Sequence, residues 1–308
     1  MKTIRLDQYG GPEELHYEDV SIPQPSEGQL LVRVQAASIN PIDYKLASGA
    51  FRHMMPLHFP WIPGDDFAGV VEAVGPGVTS QKPGDTVYGD SPGGGPYAEF
   101  VVASAGMVAP MPAKLSPIEA ASVPVAAQTA WQGLFEHGRL ERGQTVLIHA
   151  AAGGVGSFAV QLARWKGARV LATSSAKNAD YLQSLGADQV IDYRATPFES
   201  VATGMDLILD LLGGETQQRS FSVLKLGGRL VSTVQPPSED EAVRRKLHAT
   251  MMVMKPSAEG LKQLARLVDA GTIRTVVTKT YPLSQAQDAW KYQMSGHTRG
   301  KVVLEIQG

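Results

Sequence analysis

The chain opens on a period of two: in Met1-Lys2-Thr3-Ile4-Arg5-Leu6 apolar and polar residues alternate, the pattern of a half-buried strand. Leu30-Leu31-Val32-Arg33-Val34, Val70-Val71-Glu72-Ala73-Val74 and Tyr97-Ala98-Glu99-Phe100-Val101-Val102 follow as short runs rich in β-branched residues. Pro23, Pro25, Gly28, Gly64, Gly75, Gly77 and Gly84-Asp85 separate them, which predicts a β-rich, barrel-like domain reaching to about residue 122. Near Ala120 the rhythm changes. Thr145-Val146-Leu147-Ile148 is a buried-type strand, after which Val155, Phe158, Ala159 and Leu162 fall at helical spacing. Strand and helix then alternate: a strand at Arg169–Ala172, a helix through Tyr181 and Leu185, strands at Val190-Ile191 and Leu207–Leu209, a helix through Phe221 and Leu224, and a strand at Arg229–Val231. Apolar strands alternating with helices predict a doubly wound parallel sheet covered by helices on both faces, so the fold class is α/β with an added β-rich domain. The tail carries helices at Glu259–Ala270 and Ser284–Met294 and strands at Thr275–Tyr281 and Val302–Ile306. Gly93-Gly94-Gly95-Pro96 reads as a loop.

Composition narrows the chemistry. Of 308 residues 43% are hydrophobic, enough for sizeable cores, and no apolar stretch approaches the roughly 18 residues of a membrane span. Basic and acidic residues number 28 and 30 with no long run of either, which argues against nucleic acid or an anionic membrane as partner. The first residues lack the apolar core of a signal peptide, so a cytoplasmic location is expected. The cysteine count is zero, removing every thiolate nucleophile and thiolate metal ligand, and the seven histidines form no His-x-x-x-His pair. No metal site is expected.

The strand ending at Ile148 runs into His149-Ala150-Ala151-Ala152-Gly153-Gly154-Val155-Gly156 and then a helical pattern. Against the dinucleotide fingerprint G-x-G-x-x-G, the three key positions are Ala151, Gly153 and Gly156. Small residues there turn the chain tightly and let the backbone approach a pyrophosphate, while the helix N-terminus offers N–H groups to it. About 20 residues on, where an acid would take the ribose 2′-hydroxyl of NAD, the chain has Thr173-Ser174-Ser175-Ala176-Lys177-Asn178 and no acid. Hydroxyls and an ammonium suit a 2′-phosphate, so NADPH is the expected cofactor. Tyr193 and Arg194 follow the third strand, where they could pack on the adenine side or reach the same phosphate.

These residues carry a resemblance. Gly143–Gly156 is similar to the signature of the quinone oxidoreductase and zeta-crystallin branch of the medium-chain dehydrogenase/reductase superfamily. The segments Ala37–Lys45, Pro63–Val71, Gln128-Thr129-Ala130-Trp131 and Gly300-Lys301-Val302-Val303 agree with it in order and spacing. Asn40–Lys45 and Thr173-Ser174-Ser175 lean toward the alkenal and enone reductases. The resemblance implies a GroES-like catalytic domain from residues 1–122 and 259–308, an NADPH-binding Rossmann domain over 123–258, and an active-site cleft between them. It assigns cofactor contacts to Gly153, Gly154, Val155, Gly156, Ser174, Ser175, Lys177, Asn178, Tyr193 and Leu212. It also puts Val253 and Met254 by the nicotinamide carboxamide and Thr129 near its ribose. Asn40 and Asp65 stand where zinc alcohol dehydrogenases carry a cysteine and a histidine ligand, and the four-cysteine lobe is missing.

Without a metal, hydride transfer needs an acceptor that is already electron-poor, a quinone or an α,β-unsaturated carbonyl. Lys45 and Tyr44 are the expected contacts to its oxygen, with Asn40 positioning cofactor or substrate; packing explains Tyr44, and surface exposure Lys45, equally well. Asp43 reads as a structural acceptor. Asp65 and Asp66 are adjacent in a strand, where side chains point to opposite faces. Phe51, Met54, Met55, Phe59 and Trp61 fit a cleft mouth or a core, and His53 and His58 read as loop residues. Two rivals remain: a trans-2-enoyl thioester reductase, whose motif places a tyrosine where this chain has Phe51, and a catalytically idle NADPH-binding protein of the zeta-crystallin kind. A homodimer is expected through an edge strand of the parallel sheet, around Arg229–Val234 or in Val243–Thr250.

Overall fold

The computed structural model describes residues 1–296 and 298–306. In chain order its elements are β1 (Lys2–Arg5), β2 (His16–Asp19), β3 (Gln29–Ser38), α1 (Pro41–Ala47), β4 (Asp66–Val74), β5 (Thr86–Asp90), β6 (Phe100–Ser104), β7 (Val108–Pro110), α2 (Pro117–Ala121) and α3 (Pro124–Trp131). There follow β8 (Thr145–Ile148), α4 (Gly154–Lys166), β9 (Arg169–Ser174), α5 (Ala179–Ser184), β10 (Gln189–Asp192), β11 (Met205–Asp210), α6 (Gly214–Ser220), β12 (Leu224–Ser232), α7 (Glu239–Arg245) and β13 (His248–Met251). The chain closes with α8 (Ala258–Asp269), β14 (Val277–Pro282), α9 (Ala286–Met294) and β15 (Lys301–Glu305). Two compact units result: one of Met1–Val125, Pro256–Gly271 and the chain from Thr275 onward, the other of Ala126–Lys255 with Thr272–Arg274.

In the first unit the long strand β3 is the hub. It pairs antiparallel with β4 along its length, with β6 over Gln29–Arg33 and with β15 over Ala36–Ser38. Register shifts at Leu31/Val32 and Val34/Ala36 bend it, as bulges do, which lets one strand serve three partners. The sheet order is β14-β15-β3-β4-β5-β7 with β6 on β3, and only β14 and β15 run parallel. Leu30, Val32, Phe67, Val87, Tyr97, Trp290, Val302 and Leu304 share its core. α1 was not anticipated as a helix, although Asn40-Pro41 supplies an N-cap and an N1 proline and the Asp43 carboxylate accepts the Asn40 N–H at 2.8 Å.

The second unit is a six-stranded sheet in the order β10-β9-β8-β11-β12-β13, every pair parallel. Val146, Leu147 and Ile148 are all fully buried, as expected of a strand covered on both faces, and α4 buries Phe158, Ala159 and Leu162. Two expectations are corrected. The helix through Phe221 ends before Leu224, which is extended (φ −75°, ψ 141°) and starts β12; Phe221 and Leu224 stand at helical i, i+3 spacing, but of these positions only the Phe221–Val223 turn is helical. Arg229–Val234 is no edge, because β12 lies between β11 and β13; the edge on that side is β13 (His248–Met251), which overlaps the end of the less regular Val243–Thr250 stretch.

Candidate functional site

The cofactor positions expected in the second unit gather at the carboxyl ends of its strands. The order in which strands are added reverses between β8, the first strand, and β11, the fourth, and this switch point opens the crevice in which such sheets bind ligands. Beyond Ile148 the chain turns through Ala150, at φ +49°, to Gly153, the N-cap of α4, while the Ala151 N–H donates to the Thr173 carbonyl at 3.2 Å. The two key glycines differ. A Cβ on Gly156 would lie 2.6 Å from the Ala150 oxygen and the Ala151 Cα, so helix–loop packing itself demands glycine. A Cβ on Gly153 would meet only the Ala150 oxygen, at 3.4 Å, an ordinary contact. The protein's own packing therefore does not require a bare backbone at Gly153. No side chain caps this helix start, so its first-turn N–H groups at Gly154, Val155 and Gly156 suit an anion.

Beyond β9, Ser174 and Ser175 are buried at 5% and 8% exposure and Lys177 is exposed. The Asn178 amide donates to the Ser174 Oγ at 3.0 Å and the Ser175 Oγ at 3.3 Å. Each hydroxyl, already accepting, keeps its own hydrogen to donate. Tyr193, after β10, is drawn beside them because its N–H donates to the Ser174 carbonyl at 3.2 Å; its ring is exposed, with the Arg194 guanidinium 5.6 Å from its centroid. After β11, the buried Asp210 carboxylate accepts the N–H groups of Leu212 (3.0 Å) and Gly213 (2.9 Å), the Gln217 amide (2.9 Å) and the Ser232 hydroxyl (2.8 Å). That turn presents the exposed Leu212. After β13, Val253 and Met254 sit between two fixed points: the Met252 N–H donates to Ser232, and Gln132 and Lys255 exchange two hydrogen bonds of 2.8 and 3.0 Å. Thr129 is buried in α3. Asp210 and Gln132 escaped sequence reasoning. An acid closing an apolar strand before Gly213-Gly214 was the available signal for the first; Gln132 left none.

Behind the glycine turn, His149 is fully buried, its ring nitrogens 3.0 Å from Thr173 Oγ1 and 2.9 Å from Ser220 Oγ. Burial brings its pKa down to about 4 against the pull of Asp210 and Glu199, so it is neutral.

The first unit holds a buried polar network. Asp66 Oδ2 accepts the Ser38 hydroxyl at 2.5 Å, the Asn40 amide at 2.8 Å and the Lys301 ammonium at 3.2 Å, while Oδ1 accepts the Val125 N–H at 2.7 Å. Lys301 also donates to Asn40 Oδ1 at 2.5 Å and to the Ile39 carbonyl at 3.1 Å. Alongside, Asp43 Oδ2 accepts the Tyr97 hydroxyl at 2.8 Å, which accepts from Trp290 Nε1 at 3.2 Å. Burial pushes Asp43 up to about 7. It raises Asp65 too, helped by the charges of Asp43 and Asp66; β4 begins at Asp66, so Asp65 precedes the strand. The Tyr44 ring meets Trp290 edge-on at 6.2 Å, and burial, then Asp43, raises its hydroxyl. That hydroxyl has no hydrogen-bond partner among the described residues, nor has the Lys45 ammonium an ion-pair partner. Trp61 is core, donating to the Gly93 carbonyl at 2.7 Å, with Gly94 close enough that a Cβ would strike it; Met54 and Met55 are exposed. Among the described residues no group of three His, Cys, Asp or Glu is placed to hold a metal ion, and no helix is long and apolar enough to cross a membrane.

Comparison with known proteins agrees with this layout. The family described as alcohol dehydrogenase GroES-like domain matches residues 26–113, and that described as zinc-binding dehydrogenase matches 185–304. The chloroplast envelope quinone oxidoreductase homolog of Arabidopsis thaliana is 34% identical over 99% of this chain and 98% of its own length. The 2-methylene-furan-3-one reductase of Solanum lycopersicum is 35% identical over 99% and 79%. The crystal structure of Escherichia coli quinone oxidoreductase complexed with NADPH superposes with a TM-score of 0.91 at 29% identity, covering 99% of this chain and all of that one.

Proposed function

The chain belongs to the zinc-independent quinone oxidoreductase branch of the medium-chain dehydrogenase/reductase superfamily, and from that premise we propose that it is an NADPH-dependent reductase of quinones or α,β-unsaturated carbonyls. One observation carries the cofactor choice. The end of β9 offers two serine hydroxyls held by Asn178, with Lys177 beside them and no carboxylate. These groups favour a 2′-phosphate over a bare ribose hydroxyl. Bound there, NADPH supplies the hydride. Gly153–Gly156 receive the pyrophosphate at the start of α4, Tyr193 flanks the adenine end, and Leu212, Val253 and Met254 give the nicotinamide end apolar and backbone contacts, with Thr129 toward its ribose.

The acceptor accumulates negative charge on its oxygen as hydride adds at carbon. Asn40, Tyr44 and Lys45 are donors that stabilise that charge, and their rigid helix removes the cost of reorienting them. Because the family resemblance puts Asn40 and Asp65 at the ligand positions of zinc-using relatives and the chain has no cysteine, turnover is expected to survive exhaustive chelation. The enone branch of the reading draws support from the likeness to the tomato reductase.

The test is a panel of 1,2- and 1,4-quinones, alkenals and enones scored as kcat/KM with NADPH and with NADH. NADPH preference with turnover of at least one acceptor class is expected. A preference for NADH defeats the cofactor assignment, and an enzyme idle toward every acceptor is the zeta-crystallin-like alternative. Turnover confined to 2-enoyl thioesters returns the rival that Phe51 argues against. The exposed β13 edge is proposed to pair with a second copy, and light scattering at the monomer mass of 32.9 kDa in micromolar solution refutes that.

A further inference from the structure

We propose that Lys301 is the positioning residue that orients Asn40 and strengthens it as a hydrogen-bond donor to the acceptor's oxygen; this rests on the assignment of Asn40 to the acceptor given above. The ammonium is 5% exposed, and its three hydrogens reach three acceptors: the Ile39 carbonyl, Asn40 Oδ1 and Asp66 Oδ2. An ammonium has no lone pair, so the amide atom 2.5 Å from it is the oxygen. An ionised carboxylate has no hydrogen, so the amide atom 2.8 Å from Asp66 is the nitrogen. Both ends of the side chain therefore dictate one orientation of the amide. The Asn40 backbone is fixed as well, its N–H held by Asp43 Oδ2 at 2.8 Å.

One hydrogen of Asn40 Nδ2 goes to Asp66; the other has no acceptor among the described residues. A cation on the amide oxygen draws electron density from the nitrogen, which makes the remaining N–H a stronger donor. The ammonium lies nearer Asn40 (2.5 Å) than Asp66 (3.2 Å), so its field acts first on the amide. Burying a lysine costs several kcal/mol of desolvation, which a merely space-filling role would not require.

The experiment combines Asn40→Ala with a neutral pair, Lys301→Met with Asp66→Asn, which leaves no buried orphan charge. kcat/KM is measured for a weakly electrophilic enone and a reactive quinone, beside NADPH affinity by fluorescence titration. Each variant is expected to slow the enone about tenfold to hundredfold, at least tenfold more than the quinone, with NADPH affinity unchanged. The three substitutions together are expected to be no slower than either variant, and Lys301→Arg to retain most of the enone rate. If the neutral pair slows both acceptors equally, or its effect multiplies with that of Asn40→Ala, Lys301 is structural and the inference falls. If Asn40→Ala leaves the enone rate intact, the assignment of Asn40 to the acceptor falls instead. A further measurement needs no variant: the chain has two asparagines, Asn40 and Asn178, so the side-chain amide resonances are assignable. A downfield-shifted Asn40 Nδ2 is expected, and a shift typical of a solvated amide overturns the cation–amide contact.

Discussion

The carboxyl edge of the parallel sheet and the Asp66–Lys301 network use polar groups in opposite ways. At the edge, the N–H groups of Gly154, Val155 and Gly156 and the hydroxyls of Ser174 and Ser175 are donors in hand for something outside the protein, and each is local to one strand end. In the network, Asp66 accepts four donors from Ser38, Asn40, Lys301 and Val125, spread over most of the chain, so the protein satisfies itself. The first arrangement leaves stability almost untouched by substitution and binding exposed to it. The second couples stability to every member. Asp66→Ala should expose this most sharply: it strands a buried ammonium and should cost about 3–5 kcal/mol in urea unfolding. Ser175→Ala, at the edge, should cost about 1 kcal/mol or less. Similar costs for both would abolish the distinction.

The two regions should also answer pH with opposite signs. His149 in the nucleotide unit has its pKa lowered to about 4 from 6.5, chiefly by burial. The folded state binds the proton less readily than the unfolded chain, so this contribution is complete above about pH 6.5 and is lost as pH falls toward 4. At about 1.4 kcal/mol per pH unit the loss reaches roughly 3 kcal/mol. Asp43 in the other unit has its pKa raised to about 7 from 3.8, again chiefly by burial. The folded state binds that proton more readily, so its contribution is complete below pH 3.8 and is lost as pH rises through 7. Unfolding free energies between pH 4 and 8 should therefore fall less steeply toward acid in His149→Gln, and more steeply in Asp43→Asn, than in the parent. Parallel profiles for all three chains would show that neither group titrates with folding.

What the sequence disclosed follows the same division. The strands β8 and β9, the helix after Gly153 and the serines at the second strand's end were legible because each is a contiguous pattern of apolar spacing, glycine or hydroxyl. Lys301 was visible only as part of a terminal motif. Its partners lie 235 to 262 residues away, and no periodicity connects them. Asn40 was singled out, but not the fact that its amide oxygen is already occupied. Leu224 was misassigned because its i, i+3 spacing from Phe221 looks helical, while the chain turns into β12 at that residue. Gly153 and Gly156 were read alike, though packing demands only one of them.

The smallest effect tests the open edge where it is wettest. Lys177 is exposed, in a short 3-10 turn at Ala176–Asn178, so its ammonium would meet the 2′-phosphate of the proposed NADPH through water-screened charge. The buried Ser174 and Ser175 hydroxyls would give the same phosphate shielded donors. Lys177→Ala should then weaken NADPH by about 1 kcal/mol, the low end for a charge-assisted bond, and leave NADH nearly unchanged. Raising salt should shrink the difference between parent and variant, because screening removes the lysine's share first. Equal losses for both cofactors would place Lys177 away from the phosphate. A loss far above 1 kcal/mol, insensitive to salt, would mean that the lysine folds over the bound nucleotide and is shielded there, and the edge would then be as closed as the network it is set against.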